Sequence, residues 1–196
     1  MKKGWIALGA VVLAVLLAYG WVKGTYNGLV AAEEQVAKAW ADVESSYQRR
    51  ADLIPNLVET VKGYAAHEKD VLTQVTEARS RVGQIRVDAR GLTPGALEQF
   101  RKAQQGLSGA LSRLLAVAER YPDLKANQNF LDLQTQLEGT ENRINVARTR
   151  YNEAARAYNT RIRSFPANLF ARAFGFEPKP YFQAEEGAQT VPKVRF

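Results

Sequence analysis

Residues 130–165 read FLDLQTQLEGTENRINVARTRYNEAARAYNTRIRSF. Phe130, Leu137, Ile144, Tyr151, Tyr158 and Phe165 recur every seven residues, and Leu133, Thr140, Ala147 and Ala154 fill the seam between them. A seven-residue apolar repeat held this long presents one continuous stripe to neighbouring helices. It predicts a helix over about 123–163 and an all-α fold built on long packed helices.

Upstream, three more helical patterns are legible. Tyr26, Leu29, Val36, Trp40, Val43 and Tyr47 recur at helical spacing over 25–50, interrupted by Glu33. Pro55 has no N–H to give Ala51 and disfavours helical geometry at Ile54. A turn between Arg50 and Pro55 is therefore expected, with Asp52 capping a second helix over about 55–88. That helix carries Leu57, Val61, Tyr64, Val71, Val75, Ala78, Val82 and Ile85, interrupted by Glu68. Arg90–Gly95 breaks it, and Thr93 and Pro94 read as N-cap and first residue of a third helix over about 94–120. Its stripe is Leu97, Phe100, Gln104, Leu107, Leu111, Leu114 and Ala118. Four helices with short connections predict an antiparallel up-down four-helix bundle. Residues 49–56 and 121–127 would then share one tip, and residues 90–95 would share the other end with the tail.

At the N-terminus, Gly4–Val22 reads GWIALGAVVLAVLLAYGWV, without charge or proline. As a helix it spans about 28 Å, one hydrocarbon thickness. Trp5 at one end and Tyr19 and Trp21 at the other suit the headgroup regions. The alternative is a signal peptide cleaved near Ala18-Tyr19-Gly20. The apolar run, however, continues through Trp21 and Val22, which favours a retained single transmembrane anchor. Lys2 and Lys3 precede it, and Lys23 is followed by Glu33 and Glu34. The positive-inside rule then puts the N-terminus in the cytoplasm and the domain outside, periplasmic if the cell is Gram-negative. The resulting division is 1–3 cytoplasmic, 4–22 anchor, 23–163 bundle, 164–182 aromatic tail and 183–196 mobile end.

The 196 residues carry 27 basic and 20 acidic side chains, one histidine and no cysteine. Setting aside Lys2, Lys3 and Lys23 leaves 24 basic side chains against 20, too mild for a nucleic-acid binder. Thiolate metal sites, multi-histidine metal sites and Cys-His catalysis are excluded. His67-Glu68 has no second reactive partner, and no glycine-rich phosphate loop or nucleophile elbow occurs. No catalytic, cofactor or metal site is expected.

Three stretches carry a family resemblance. They are RRADLIPNLVETVKGYAAHE from Arg49, AERYPDLKANQNFLDLQTQLEGTENRINVARTRYNEAARAYN from Ala118, and FPANLFARAFGF from Phe165. Together they resemble the LemA family from about Tyr26 to Phe182. The resemblance implies an N-terminal anchor, a four-helix bundle and no known enzymatic activity. It also implies a place in bacterial membrane organisation or beside other membrane proteins.

Candidate residues fall into three groups. Counted from the expected tip, Glu33, Glu68, Gln104 and Thr140 come at similar depths and would form a polar layer. Its role would be to fix helix register, with solvated seam edges as the alternative. Arg49, Arg50, Asp52, Pro55, Asn56, Tyr121, Pro122, Asp123 and Lys125 would make a distal partner surface, although several are ordinary caps and turn residues. Phe165, Leu169, Phe170, Phe174 and Phe176, with Arg172 among them, would lie in the bilayer interface, plug the bundle or meet a neighbouring subunit. Arg143, Arg148, Arg150, Arg156, Arg161 and Arg163 suit the helix dipole or, alternatively, anionic headgroups. The repeated Tyr-Asn pairs at 26–27, 151–152 and 158–159 read as core and adjacent polar positions, with no ligand site.

The expected function is a non-enzymatic scaffold or adaptor of the bacterial cytoplasmic (inner) membrane. Its partners would be the lipid bilayer, other membrane proteins and further copies in a homo-oligomer, without nucleic acid. The alternative is an extracytoplasmic ligand or stress sensor using the polar layer.

Overall fold

The structure, a computed structural model, describes residues 2–89 and 91–183, without the side chains of Lys2 and Lys3. The tail expected beyond Gln183 lies outside the described residues. Among the described residues five helices follow in order: α1 Lys2–Tyr64, α2 Lys69–Gln84, α3 Pro94–Ala118, α4 Pro122–Lys125 and α5 Gln128–Arg163. A single 3-10 turn spans Ala167–Leu169. No strand occurs among the described residues.

α1 is one unbroken helix of 63 residues, about 95 Å long. The turn expected between Arg50 and Pro55 is absent. Pro55 sits on the exposed face, while Ala51, Ile54 and Leu57 are buried. The Ala51 carbonyl loses its usual partner to the proline but accepts Arg79 Nε of α2 at 2.9 Å. The chain breaks instead at Ala65–Glu68, where Glu68 N donates to Ala65 O. The second helix therefore starts at Lys69, not near Pro55.

The other boundaries follow local capping. Thr93 Oγ1 accepts from Ala96 N and Pro94 opens α3, as the sequence predicts. Asn127 caps α5 by accepting from Phe130 N, so the expected helix over 123–163 is split into α4 and α5. α5 ends at Arg163, and Phe165, the last position of the heptad repeat, is 79% exposed rather than seamed.

α1 and α5 form the spine. Arg161 lies over Gly28, the Trp40 ring meets Tyr151, Arg50 pairs with Glu141, and Asn127 Nδ2 donates to Tyr64 Oη. From Trp40 to Tyr64 each step up α1 is matched by an equal step down α5, so the pair is antiparallel and keeps its register over that length. α2 packs on α3. After α2 the chain runs extended, and Trp40 Nε1 donates to Val87 O at 3.2 Å. The break around Gly91–Gly95 thus lies near Trp40, not at the end shared with Phe165–Phe176. Its Pro94 and the following Leu97 face Pro180 and Tyr181.

The interior is divided in two. One core joins Leu29–Tyr47 of α1, Leu97 and Phe100 of α3, Ile144–Ile162 of α5 and the tail through Phe182. The other joins Ile54–Val61 of α1, Leu72–Ala78 of α2, Leu107–Ala118 of α3 and Phe130–Leu137 of α5. Between Tyr47 and Ile54, Phe100 and Leu107, and Leu137 and Ile144, the apolar contact is interrupted.

The first turns of α1 stand apart from both cores. Trp5, Leu17 and Tyr19 are 75%, 66% and 67% exposed. Among the described residues this is the one helix long and apolar enough to cross a membrane.

Candidate functional site

The gap between the cores is filled by Arg50. It is 2% exposed and comes from the middle of α1. Its Nη1 donates to Ser108 Oγ at 2.9 Å and pairs with Glu141, and its Nη2 donates to Gln104 Oε1 at 2.6 Å. The guanidinium also stacks on Tyr47, 5.0 Å from the ring centroid. Its Nε is buried without a partner. Gln104 and Thr140 are buried at this level, and Thr140 Oγ1 donates to Gln136 O.

Glu33 and Glu68, expected in the same layer, are elsewhere. Arg50 is 17 residues from Glu33 along α1, about 25 Å. Glu68 lies beyond the end of α1, where its carboxylate takes Arg120 Nη2 at 3.0 Å and the Tyr121 hydroxyl at 3.2 Å. Burial, together with that carboxylate, pushes the Tyr121 phenol above its ordinary value. The counting failed because it started from a turn at Pro55 that the chain does not make.

The expected distal tip divides for the same reason. Arg49, Asp52, Pro55 and Asn56 are exposed on the middle of α1, and Asp52 accepts from Gln48 Nε2. Tyr121, Pro122, Asp123 and Lys125 lie at the end of the molecule, beside Tyr64–Glu68, and Lys125 pairs with Glu119. The structure does not bring the two sets together.

Beside Arg50 opens a groove of about 560 Å³. Arg101, Arg148, Glu141, Asn145, Tyr47 and Phe182 line it with Arg50. Arg148 lies over the Phe182 ring at 5.1 Å and donates to Gln183 O at 3.3 Å. Arg101 grips Glu98 through Nε and Nη2, both at 2.9 Å, and holds that carboxyl below its ordinary range. A second cavity, about 630 Å³, shares Tyr47 and Gln104 with the first.

The tail reaches this groove because two asparagines hold it. Asn159 Nδ2 donates to Lys179 O and its Oδ1 accepts from Lys179 N, both at 2.8 Å. Asn152 does the same for Phe182, at 2.9 Å each way. Tyr151 Oη donates to Pro180 O at 2.9 Å. The amides thus act as partners for an extended backbone that belongs to no sheet. Lys179, buried beside Tyr158, pairs with Glu33 at 2.9 Å. Neither asparagine was predicted as functional. The signal was present as the Tyr-Asn pair repeated after seven residues.

At the other end of the tail, Phe170 meets Trp21 and Phe174 meets Tyr26, with centroids 5.5 and 5.4 Å apart. Phe176 is buried against Tyr26, whereas Phe165, Leu169 and Phe174 are 79%, 69% and 48% exposed. Arg172 is exposed among them. Of the α5 arginines, Arg161 covers Gly28 near this end, and Arg148 belongs to the groove. Among the described residues, no group of His, Asp or Glu is placed to hold a metal ion.

Known proteins place the chain. It is similar to Magnetosome protein MamQ 2 of Paramagnetospirillum magneticum, 29% identical over 91% of this chain and 72% of that protein. Magnetosome protein MamQ of Magnetospirillum gryphiswaldense is 27% identical over 84% of this chain and 67% of its own length. Protein LemA of Metamycoplasma hominis is 25% identical over 89% of this chain and 76% of its own. The LemA family pattern matches residues 39–196, which include Arg50, both tail-holding asparagines and the aromatic tail, and the chain therefore belongs to the LemA family.

Proposed function

We propose that this chain is a non-enzymatic, single-pass scaffold or adaptor of the bacterial cytoplasmic membrane. Its N-terminus lies in the cytoplasm and its helical domain outside. The domain works as a four-helix bundle over its distal half, where α1, α2, α3 and α5 share one core. It gathers membrane-protein partners or further copies of itself.

The observation that carries this reading is the exposed apolar tail segment that meets Trp21 and Tyr26 through Phe170 and Phe174. Phe170 and Phe174 meet each other and the rings of Trp21 and Tyr26, where the apolar turns of α1 end, and Phe165, Leu169 and Phe174 are exposed on the same segment. Aromatic side chains at that level match the headgroup region, and Arg172 among them suits anionic lipid. The tail then gives the domain a second hold on the bilayer and fixes its rotation relative to the span. The inner side of the same tail, with Ala167, Ala171 and Phe176 buried, closes the core. Attachment and packing are thereby joined in one segment.

The chain has no cysteine, so single cysteines give clean labels. In lipid nanodiscs, spin labels at positions 169 and 174 should be reached by oxygen and shielded from a water-soluble nickel chelate. A label at the exposed Val146 should show the reverse. Equal nickel access at all three positions would end the membrane reading. In intact cells, a cysteine at position 131 should react with an impermeant maleimide. Reaction only after lysis would reverse the orientation.

A second reading, an extracytoplasmic ligand or stress sensor, is favoured by one specific observation. The groove beside Arg50 is open, polar and bordered by the only buried guanidinium among the described residues.

A further inference from the structure

We infer that Asn145 is the third rung of the asparagine ladder that holds the tail, and that it seats the chain's own residues 184–186 in the groove beside Arg50 by gripping the main chain of Glu185. The inference goes beyond both readings of the function and rests on neither. It makes the groove a seat for the chain's own end.

The two occupied rungs set a spacing rule. Asn159 holds both N and O of Lys179, and Asn152 holds both N and O of Phe182. The rungs are seven residues apart on α5, about 10.5 Å. The gripped residues are three apart on the tail, about 9–10 Å of extended chain. Each heptad step towards the start of α5 is therefore matched by three residues of tail. A chain that turns the same edge to its support every third residue has the period of polyproline II, which Pro178 and Pro180 suit. The next step on α5 is Asn145, and the next residue to be gripped is Glu185. Asn145 follows the buried Ile144 as Asn152 follows Tyr151 and Asn159 follows Tyr158, so the three asparagines share one heptad position.

The tail is already on this course. Arg148, between the second and third rungs, donates to Gln183 O at 3.3 Å. Asn145, Asn152, Phe182 and Gln183 line the same groove, so the chain enters it at the point where the described residues end. The Asn145 carbonyl accepts from Thr149 Oγ1, while its side chain is exposed and makes no hydrogen bond among the described residues. One step further along α5 stands Glu138, whose carboxylate has no hydrogen to give a backbone carbonyl, so the ladder ends at Asn145. A side-chain amide that takes an N–H and a C=O reads main chain and asks nothing of the side chains it carries. Residues joined directly to Gln183 reach the rung at high effective concentration, ahead of any separate chain.

Amide hydrogen exchange of the full chain in detergent micelles, resolved by NMR, tests this. The Glu185 N–H should exchange about tenfold more slowly than an unstructured amide, the effect of one hydrogen bond. Asn145→Ala should abolish that protection and leave the Lys179 and Phe182 amides protected. Asn142→Ala, in a separate surface cavity with Asp42 and Arg143, should change none of the three. Thermal melts check that both variants keep their helices. An unprotected Glu185 N–H in the parent chain would overturn the inference. So would protection that survives Asn145→Ala, or an equal loss in Asn142→Ala. Protection that falls on dilution would give the rung to a second copy and overturn it equally.

Discussion

Arg79 Nε donates to the carbonyl oxygen of Ala51 at 2.9 Å, so α2 supplies the hydrogen bond that Pro55 withholds from α1. A proline inside a helix costs an internal bond and crowds the preceding turn. Here the orphaned acceptor is satisfied from a neighbouring element, and α1 continues to Tyr64. The two residues should therefore be coupled. Arg79→Met should destabilise the native chain by about 1 kcal/mol. In a Pro55→Ala background the loss should be much smaller, because the restored N–H at position 55 serves the same carbonyl. A double-mutant cycle from chemical denaturation measures the coupling, and additivity would remove the explanation.

The layer around Arg50 separates two apolar cores, and its removal should show which part is packing and which is specification. Arg50→Met alone strands the Gln104 side-chain oxygen and should cost about 2 kcal/mol. Adding Gln104→Leu and Thr140→Val should recover most of that loss. The cores then merge, and the helices lose the feature that forbids a shift along the seam. Amide hydrogen exchange in the triple variant should reveal more than one register despite regained stability.

The tail depends on its two asparagines. Asn159→Ala would leave the backbone N–H and C=O of Lys179 unpaired in a buried site and should cost about 2–3 kcal/mol. Asn152→Ala should cost less, because its contacts with Phe182 are only partly buried. Limited proteolysis should then cut between Phe176 and Gln183 before it cuts any helix.

Tyr158 gives the fold an alkaline limit. Burial, reinforced by the carboxylates of Glu33 and Glu177, pushes its phenol up to about 12 from an ordinary 10. The folded chain thus holds the proton more tightly than the unfolded chain. This contribution is complete below pH 10 and is lost as pH rises from 10 towards 12. Burial shifts Tyr151 in the same direction. Tyr158→Phe should flatten the loss of melting temperature above pH 10. It should also raise stability at pH 7 by up to about 1 kcal/mol, because the Tyr158 hydroxyl is buried without a partner.

The sequence disclosed the helical character, the apolar N-terminal turns and the start of α3 through strictly local rules. Heptad spacing and the Thr93-Pro94 cap need no knowledge of the rest of the molecule. Pro55 misled because its rescue comes from Arg79, 24 residues later and on another helix. Everything counted from that false turn moved with it, including the levels of Glu33 and Glu68 and the grouping of the tip. Gln104 and Thr140 could be picked out because they interrupt an apolar stripe. Arg50 was legible only as part of an exposed partner tip beside Arg49, whereas it is buried. Only the tertiary fold decides that one of these two arginines points inward.

From Val22 to Tyr64, α1 is about 63 Å of uninterrupted helix attached to a segment of hydrocarbon-spanning length. Such a shaft acts as a pointer. Where its greasy end crosses a lipid sheet, a change of about 10° in lean would sweep the far tip sideways by about 11 Å. Local thinning or thickening of the sheet would thereby be magnified into a swing at Tyr64, far from any lipid.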